Sequence, residues 1–516
     1  MAVDPESLLP EVDDLPEQVR IRREKVERLR DQGVDPYPVG FERTHTLAQI
    51  RGQHADLSAD ERSGVQVAVV GRVVLRRDGG KLCFATIRDG TDDLQVMLPV
   101  SAVGEDRLRE WKSDIDIGDH VGIVGEVISS RRGELSVEAT SWTLTSKCLR
   151  PLPEKFKGLT DPEARVRQRY VDLIVRPEAR QMLTMRSDAI ASVRHSLTSR
   201  GFIEVETPML QTIHGGANAR PFVTHINAYD MDLFLRIAPE LYLKRLLVGG
   251  VEKVFEINRN FRNEGADSTH NPEFTMLEMY EAYGDYTTMR ELTREIIMEA
   301  AEAVHGERIV RHRDDDGQVQ DFDISAAWPV VPVNEGLSRA LGSEITCDTT
   351  AEELRQLCAS AGIGVDPAWG RGQIVLEMYE HLLEATTVAP TFFIDFPTEV
   401  SPLTREHRSE PRLAERWDLV AFGAEIGTAY SELIDPIEQR SRLTAQSLLA
   451  AGGDAEAMAL DEDFLRALEF AMPPSGGQGM GIDRLLMMLT GRGIRETIPF
   501  PLVRPQSAPR SGPAGQ

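Results

Sequence analysis

Hydrophobic and polar positions between Val254 and Tyr286 alternate as expected for two strands joined by a polar loop. On the first strand, Val254–Arg262, apolar side chains fall on one face and polar side chains on the other, because side chains alternate with period two. The loop at 263–272 is rich in polar and turn-forming residues. The pattern therefore predicts a hairpin, and the rest of the chain is organised around it.

The polar faces of this hairpin carry Arg262, Glu278, Tyr280 and an exposable Phe274, where a half-buried strand would normally place apolar groups. Such a mixture indicates the floor of a binding site for a flat, anionic ligand. An ordinary hairpin with a charged loop is the alternative that alternation alone leaves open.

Between about Val65 and Leu149 the pattern changes to short strands separated by glycines and Asp-Gly turns. Five such strands in about 85 residues predict a small Greek-key barrel such as an OB-fold. Phe84 is exposable within a basic cluster on the first two strands and their turn, formed by Arg72, Arg76, Arg77, Lys81 and Arg88. A basic groove with an aromatic platform suits single-stranded nucleic acid, since bases stack and phosphates need cations. Phe84 as an ordinary core residue is the alternative.

Later segments add further candidate residues. A helical pattern from Glu178 leads into a strand predicted to end at Pro208. Gly216 follows in a loop that lets a ligand approach the backbone closely. Glu240 stands at the start of an amphipathic helix, where a Glu is usually a dipole or capping residue. Near the end, a glycine-rich strand runs into an apolar helix and places Arg484 in its first turn.

The segments WDLVA and AEIG predict a second hairpin that turns at 422–423. Simple pairing from this turn places Asp418 opposite Gly427 and on the same face as Glu425. Two carboxylates with no obvious basic partner indicate an Mg²⁺ site, because hard oxygen ligands suit a hydrated divalent ion; a solvated hairpin face is the alternative. Glu432 falls on the opposite face unless a bulge intervenes, for which Gly427 is the natural place.

Composition narrows the class of protein. The chain has 516 residues, of which 41% are hydrophobic and 27% charged, as expected for a soluble globular protein of two or three domains. Four well-separated cysteines without CxxC spacing predict reduced thiols and a cytoplasmic location. The acidic start and the lack of a long apolar run predict neither a signal peptide nor a membrane span.

A net charge of −25 argues against a nucleic-acid partner at face value. A probable helix nevertheless carries a run of basic residues, Arg20, Arg22, Arg23, Lys25, Arg28 and Arg30. Phosphate contacts need only a local basic surface. For the helix alone, a solvated face balanced by Glu24 and Glu27 is the favoured interpretation.

The central hairpin resembles a known motif: F-R-N-E-G, a variable loop and H-N-P-E-F-T-M-L-E are similar to motif 2 of class II aminoacyl-tRNA synthetases, and most similar to lysyl enzymes of bacterial type. The strand ending at Pro208 resembles motif 1, the dimer element, and G-M-G-I-D-R resembles motif 3. The resemblance extends from about Leu15 to Pro505. It implies an α+β multidomain protein, with an N-terminal OB-fold barrel followed by a catalytic domain built on an antiparallel sheet flanked by helices.

The domain bounds that follow are 1–59 for a helical extension, 60–149 for an OB-fold anticodon-binding domain and 150–177 for a linker or hinge. The catalytic domain is expected at 178–505, with an insertion at about 332–412. Residues 506–516 are expected to form a disordered tail.

The resemblance also implies an activity. A homodimer would activate L-lysine with ATP, using Mg²⁺, and transfer the lysine to tRNA(Lys), with Arg262 and Arg484 as catalytic residues. The implied ATP-binding residues are Arg262, Glu264, His270, Asn271, Phe274, Glu425, Gly481 and Arg484. The implied lysine-binding residues are Gly216, Glu240, Arg262, Glu278, Tyr280, Thr428, Tyr430 and Glu432. Asp418 and Glu425 are the implied metal ligands, and Phe84 and Gln95 the implied anticodon readers.

This chain departs from the more familiar motif, which has Glu in place of Asp418 and Asn-Gly-Phe in place of 428–430. Thr428 lacks the amide that would contact the substrate carboxylate, although its hydroxyl offers a substitute. Two other functions compete: a paralogue that lysylates a protein or a small metabolite, and a non-catalytic RNA-binding protein on the same scaffold. Retention of Phe84 and Gln95 argues against the first, and retention of Arg262, Arg484 and the acid pair argues against the second.

Overall fold

The computed structural model describes residues 16–153, 159–267, 269–314, 317–451 and 458–505. The chain divides into two compact units, Met1–Thr160 and Asp161–Gln516. Across the described ranges, no helix combines the length and the apolar character needed to cross a membrane. The tail expected at 506–516 lies outside these ranges.

The first unit is built on a closed five-stranded barrel. Its elements are α1 (Glu17–Asp31), α2 (Leu47–Gln53), β1 (Arg62–Asp78), β2 (Leu82–Arg88), β3 (Asp93–Pro99), α3 (Val100–Val103), α4 (Glu105–Asp114), β4 (His120–Ser129) and β5 (Leu135–Ser146). The strands meet in the order β1-β2-β3-β5-β4. On β2, Cys83, Ala85 and Ile87 point into the core and are at most 2% exposed. The predicted barrel is therefore confirmed, whereas Phe84, on the opposite face of β2, is not a core residue.

Helix α1 lies against the barrel through half of its basic residues. Arg22 donates to the Cys148 carbonyl at 2.9 Å, Lys25 pairs with Asp116 at 2.8 Å, and Arg28 pairs with Asp114 at 2.5 Å. The interpretation of this helix as a solvated charged face is therefore wrong for Arg22 and Lys25, while Arg28 stays 46% exposed although it pairs with Asp114. Their spacing of three residues keeps them on one side of the helix, so they attach α1 to the barrel.

The second unit carries the larger sheet. Its helices are α5 (Pro162–Arg167), α6 (Arg169–Val175), α7 (Pro177–Ser199), α8 (Glu240–Val248), α9 (Tyr286–His305), α10 (Val333–Leu341), α11 (Ala351–Ala361), α12 (Arg371–Tyr379), α13 (Pro436–Ala451), α14 (Glu462–Leu468), α15 (Ile482–Thr490) and α16 (Ile494–Thr497). A π-helical turn at Glu380–Glu384 and a 3₁₀ turn at Thr398–Val400 complete the helical segments described.

The strands of this unit are β6 (Ile203–Glu204), β7 (Leu210–Gln211), β8 (Val223–Ile226), β9 (Met231–Leu235), β10 (Lys253–Phe261), β11 (Glu273–Ala282), β12 (Ile309–Arg313), β13 (Val319–Asp323), β14 (Val330–Pro332), β15 (Thr391–Pro397), β16 (Leu413–Ala421), β17 (Ala424–Ser431) and β18 (Ser475–Gly481). Eight of them form one sheet in the order β14-β15-β16-β17-β18-β11-β10-β6. Pairing within it is antiparallel except at its two edges, β14–β15 and β6–β10. The predicted antiparallel catalytic sheet is confirmed.

The largest apolar cluster of the second unit lies on one face of this sheet. Phe255, Leu277 and Met279 point from the central strands into a cluster that also includes apolar residues of α7, α9 and α15. Since side chains alternate along each strand, the polar side chains of β10 and β11 are left on the other face. That face holds the candidate site.

Three details differ from the sequence-based expectation. The strand predicted to end at Pro208 is regular only at Ile203–Glu204, because β10 pairs with just these two residues before the chain leaves the sheet. The segment expected to be a linker contains the short helices α5 and α6. The expected insertion contributes β15 to the large sheet.

Candidate active site

The floor of the candidate site is the hairpin β10–β11. Its register pairs Glu256 with Glu278 and Asn260 with Phe274, so the polar side chains share one face, as the alternation predicts. The Arg262 amide donates to the Pro272 carbonyl at 2.9 Å and closes the base of the loop.

Strand β18 lies beside β11 and has almost no side chains on this face. Gly477 lies against Tyr280 and Glu432, Gly479 against Met276, and Gly481 against Arg484. Glycines at alternate positions of one strand therefore leave open space between the side chains of β11 and those of β17.

This space consists of two adjoining cavities, of about 200 and about 290 Å³. The first is lined by residues that include Glu264, His270, Asn271, Phe274, Gly481 and Arg484. The second is lined by residues that include Gly216, Glu240, Glu278, Tyr280 and Tyr430. Arg262, Met276, Glu425, Thr428 and Gly479 line both. Most of the residues implied as nucleotide or amino-acid ligands are thus brought together, and Arg262 stands where the two cavities meet.

Arg262 is held by an aromatic ring. Its guanidinium carbon lies 5.1 Å from the centre of the Phe274 ring, a cation–π contact. Burial lowers the pKa of Arg262, and its Nε has no hydrogen-bond partner among the described residues. A half-buried cation with a buried, unused donor is suited to binding an anion.

Arg484 is positioned by two contacts at the outer end of the first cavity. Its Nη1 donates to the Glu425 carbonyl at 2.7 Å, and its Nη2 lies 3.2 Å from Nε2 of His270. Because arginine only donates, His270 Nε2 must accept, and its Nδ1 then carries the proton toward Asp267, 3.0 Å away. The Thr269 amide and other hydrogen bonds hold the pKa of Asp267 at about 2, so this carboxylate stays charged.

Asn271 and Glu264 differ in their surroundings. The Asn271 side chain accepts from the Leu502 amide at 3.1 Å and donates to the Glu273 carbonyl at 2.5 Å, so it fastens the chain segment near residue 502. Glu264 is exposed at the edge of the first cavity. Asn271 therefore lines the cavity while its amide is already engaged.

The second cavity is rich in carboxylates. Glu278 is 5% exposed, and burial, reinforced by the charge of Glu240, raises its pKa well above the ordinary value. Burial raises the pKa of Tyr430 to about 12, so its hydroxyl remains protonated. Gly216 has a φ of +89°, and an added Cβ would come within 3.0 Å of Glu240 Cβ, so only glycine suits this wall.

Glu432 lies behind this cavity and not along its wall. It is 2% exposed, and its Oε2 lies 2.5 Å from Nζ of Lys244. Lys244 also contacts Oε1 of Glu240 at 2.6 Å. Burial lowers the pKa of Lys244, but the two carboxylates outweigh this effect and the net shift is upward. Lys244 is thus a charged, fully buried group beside the cavity.

The predicted register of the second hairpin is correct only next to its turn. Val420 pairs with Glu425, but a bulge at Ile426 shifts the pairs beyond it, so Asp418 faces Thr428 and not Gly427. The extra residue brings Glu425, Thr428 and Tyr430 to the cavity face. A bulge was expected at Gly427, and the structure places it one residue earlier.

The expectation that Asp418 lacks a basic partner is wrong. Arg416 binds both of its oxygens, Nε to Oδ1 at 3.0 Å and Nη2 to Oδ2 at 2.8 Å, and the Thr428 hydroxyl donates to Oδ1 at 2.7 Å. Thr428 therefore uses its hydroxyl on Asp418. Within the described ranges, no group of three or more His, Cys, Asp or Glu side chains could hold a metal.

Mg²⁺ usually takes one or two protein carboxylates and completes its shell with substrate phosphates and water. Glu425 fits this requirement, because its carboxylate lines both cavities and is 35% exposed. Asp418 is 1% exposed and already paired, so it lies behind Glu425 and is not an open ligand.

Two functional neighbours were missed in the sequence. Lys244 stands four residues after Glu240 on α8, a spacing that puts both on one helix face. Arg416 stands two residues before Asp418 on β16, a spacing that puts both on one strand face. Either spacing could have indicated the pairing.

On the barrel of the first unit, Phe84 and Gln95 share the outer face. Gln95 pairs across the sheet with Thr86, and its amide donates to the Ser136 hydroxyl at 2.8 Å. The Arg77 guanidinium lies 5.9 Å from the Phe84 ring centre. Other members of the predicted basic cluster bind neighbouring groups: Arg72 the Gly118 carbonyl, Arg76 Asp78, and Arg88 Asp93.

Comparison with protein families gives two matches. Residues 161–504 match tRNA synthetases class II (D, K and N), and residues 67–145 match the OB-fold nucleic acid binding domain. The chain therefore belongs to the class II tRNA synthetases of the D, K and N group. The predicted class and fold are confirmed.

The chain is also similar to curated proteins named lysylphosphatidylglycerol biosynthesis bifunctional protein LysX. It is 56% identical to the one from Nocardia farcinica over 491 residues, which are 95% of this chain and 43% of that protein. It is 57% identical to the one from Gordonia bronchialis over 493 residues, 96% of this chain and 42% of that protein. The relative from Mycobacterium tuberculosis is 55% identical over 498 residues, 95% of this chain and 42% of its own length. The chain thus spans less than half the length of these relatives.

Proposed function

We propose that the chain activates L-lysine with ATP, forming lysyl-adenylate and pyrophosphate, and then transfers the lysine to the 3′ end of tRNA(Lys). The observation that carries this proposal is the position of Arg262 between two cavities. One cavity offers an aromatic ring and a second arginine, and the other offers buried carboxylates.

Activation joins two anions. A carboxylate oxygen of lysine forms a bond to the α-phosphorus of ATP, the bond from that phosphorus to the bridging oxygen breaks, and pyrophosphate leaves. The carboxylate is already a nucleophile, so the protein has to supply orientation and positive charge and not a general base. Arg262 would contact both the carboxylate and the α-phosphate, while Arg484 would hold the far phosphate and stack on adenine opposite Phe274.

Lysine is the amino acid that suits the second cavity. Its α-ammonium needs a carboxylate at one end, where Glu240 lies beside Gly216. Its ε-ammonium needs carboxylates at the other end, where Glu278 and Glu432 are expected to act with Tyr280. An acidic or amide side chain would face these same carboxylates, where an acidic side chain needs a cation as its partner.

We also propose Mg²⁺ as cofactor, bound by Glu425 together with phosphate oxygens of the nucleotide. When bound, Mg²⁺ would offset phosphate charge during activation. Asp418 would act from behind Glu425, through the Arg416 and Thr428 contacts that fix this part of the sheet.

The remaining parts of the proposal concern tRNA and assembly. Phe84 would stack on a base of the anticodon and Gln95 would hydrogen-bond to it, which suits their outer-face positions. A homodimer through the segment around Pro208 is supported by apolar side chains exposed there, with Ile203 at 56% and Leu210 at 50%. We further propose a cytoplasmic enzyme with an anticodon-binding domain at 60–149 and a catalytic domain at 178–505.

A second candidate function comes from the relatives. Their name assigns them to lysylphosphatidylglycerol biosynthesis. The lysyl group activated by this chain would then be destined for a lipid or another small acceptor, while ATP and lysine activation would stay the same.

Charging of tRNA(Lys) transcripts tests both candidates. Wild type and Phe84→Ala are compared in lysine-dependent ATP–pyrophosphate exchange and in charging. Normal exchange in both proteins, with charging lost only in the variant, supports the synthetase and assigns anticodon recognition to the barrel. Exchange without charging by the wild type favours the second candidate, and a wild type that shows no lysine-dependent exchange rules out both.

A further inference from the structure

Lys244 is the most enclosed cation beside the second cavity. Its side chain is 0% exposed and lies between Oε1 of Glu240, at 2.6 Å, and Oε2 of Glu432, at 2.5 Å. Because both oxygens touch one nitrogen, the two carboxylates are held within about 5 Å of each other. One side chain therefore links a cavity-wall carboxylate to a carboxylate behind the wall.

The charges at this end of the site do not balance without a ligand. Glu240, Glu278 and Glu432 are all at most 5% exposed, and Lys244 compensates one of the three carboxylates. With all three carboxyl groups ionised, as a cationic ligand would favour, two negative charges remain. A ligand with two ammonium groups would balance them, while Arg262 would compensate its carboxylate.

Unused oxygens point to the same kind of ligand. Oε1 of Glu432 has no hydrogen-bond partner among the described residues, although its side chain is fully buried. Oε1 lies beside Tyr280, which lines the cavity. A Cβ added at Gly477 would overlap both Oε1 and the Tyr280 ring, which shows that the two are neighbours. Lys244 thus contacts Oε2 of Glu432, while Oε1 is buried beside Tyr280, a residue of the cavity wall.

Building on the proposed function, we propose that Lys244 is a positioning residue that ties Glu240 to Glu432 and so sets the spacing at which the site accepts the two ammonium groups of a diamino acid. Lys244 would thus determine which substrate length the site accepts, since moving either carboxylate changes the distance between the two ammonium positions. Removing Lys244 would also leave three carboxylates facing two ammonium groups.

This role predicts an effect on discrimination between lysine and ornithine, which is one methylene shorter. A single methylene is worth about 10- to 200-fold in kcat/KM in a well-fitted pocket. When the two carboxylates are no longer held at a fixed spacing, this preference falls.

The test compares Lys244→Met, Lys244→Arg and a control in ATP–pyrophosphate exchange with lysine and with ornithine. Lys244→Met removes the charge, and Lys244→Arg keeps the charge but changes the distance between the carboxylates. Lys147→Met is the matched control, because Lys147 is also fully buried and pairs with two carboxylates, Asp116 at 2.6 Å and Asp119 at 2.7 Å, in the barrel. It reports the effect of losing a buried lysine away from the site.

In Lys244→Met, the KM for lysine should rise at least about tenfold while the KM for ATP stays within about twofold. The lysine-to-ornithine ratio of kcat/KM should fall at least about threefold in both Lys244 variants and stay unchanged in Lys147→Met. An unchanged ratio in Lys244→Arg overturns the proposal, whether or not Lys244→Met folds. If the wild type shows no lysine-dependent exchange, the proposed function itself fails, which is a distinct result.

Discussion

Replacing Gly477 by alanine adds one methyl group at the tightest point of β18. That methyl would overlap Oε1 of Glu432 and the ring of Tyr280. Neither neighbour can move easily, because Glu432 is 2% and Tyr280 4% exposed, and Lys244 holds Glu432 at 2.5 Å. The same methyl at Gly481, on the same face of the same strand, would come no closer than 3.4 Å, to Arg484 Cβ.

The two substitutions should therefore differ in stability. Overpacking of a buried site costs about 1–3 kcal/mol. Replacing glycine by alanine also restricts the unfolded chain, which stabilises the protein by about 0.4–1 kcal/mol. Gly477→Ala should thus lose up to about 2.5 kcal/mol of unfolding free energy, whereas Gly481→Ala should be neutral or slightly more stable.

Urea unfolding measures this difference in unfolding free energy. ATP–pyrophosphate exchange measures which KM, that for lysine or that for ATP, each substitution changes. Gly477→Ala should raise the KM for lysine, since it moves Glu432 and Tyr280, and leave the KM for ATP nearly unchanged. Gly481→Ala should affect the KM for ATP instead, because Gly481 lines the first cavity. Equal losses of stability in the two variants, or an unaltered lysine KM in Gly477→Ala, would refute the packing described here.

Three further changes test other contacts. Arg416→Met should destabilise the protein by about 3–5 kcal/mol, since it leaves the Asp418 charge buried without its partner, and Asp418→Asn in the same chain should restore much of the loss in urea unfolding. Gln478→Met should stabilise by about 1–3 kcal/mol, because both polar atoms of this 2% exposed amide lack hydrogen-bond partners among the described residues; no gain in unfolding free energy would contradict this. The raised pKa of Glu278 means that the folded state holds its proton more tightly than the unfolded state, so its contribution to stability is present below about pH 4.5 and is lost as pH rises further. Glu278→Gln should flatten that part of the stability–pH curve, and an identical slope in the variant would contradict the assignment.

Much of the fold follows from periodicity. Strict alternation from Val254 onward fixes which side chains of β10 and β11 share a face, and the structure pairs them accordingly. The barrel follows in the same way, since alternate apolar residues on β2 and β3 are those at its core. These predictions succeed because burial on one face of a strand depends on local sequence alone.

The register of the second hairpin, β16–β17, differs from the one that simple alternation predicts. The predicted turn at 422–423 is confirmed, with Phe422 at a φ of +53°, whereas the bulge expected at Gly427 lies one residue earlier, at Ile426. One extra residue reverses the faces of every later position, which is why simple pairing placed Asp418 opposite the wrong residue and why Glu432 needs the bulge to share a face with Glu425. Asp418 was expected to have no basic partner, whereas Arg416, two residues earlier on the same strand, binds both of its oxygens.

The glycines of β18 explain why the two cavities adjoin on this sheet. A strand in the middle of a sheet normally fills the space above it with side chains, and here β11 and β17 on either side supply the charged and aromatic groups. Had β18 carried side chains at 477, 479 and 481, they would have occupied the space between Glu278 and Thr428, which both pair with Gly479. Because none of the three glycines has a positive φ, they are required less for backbone freedom than for the open space that joins the two cavities at Arg262.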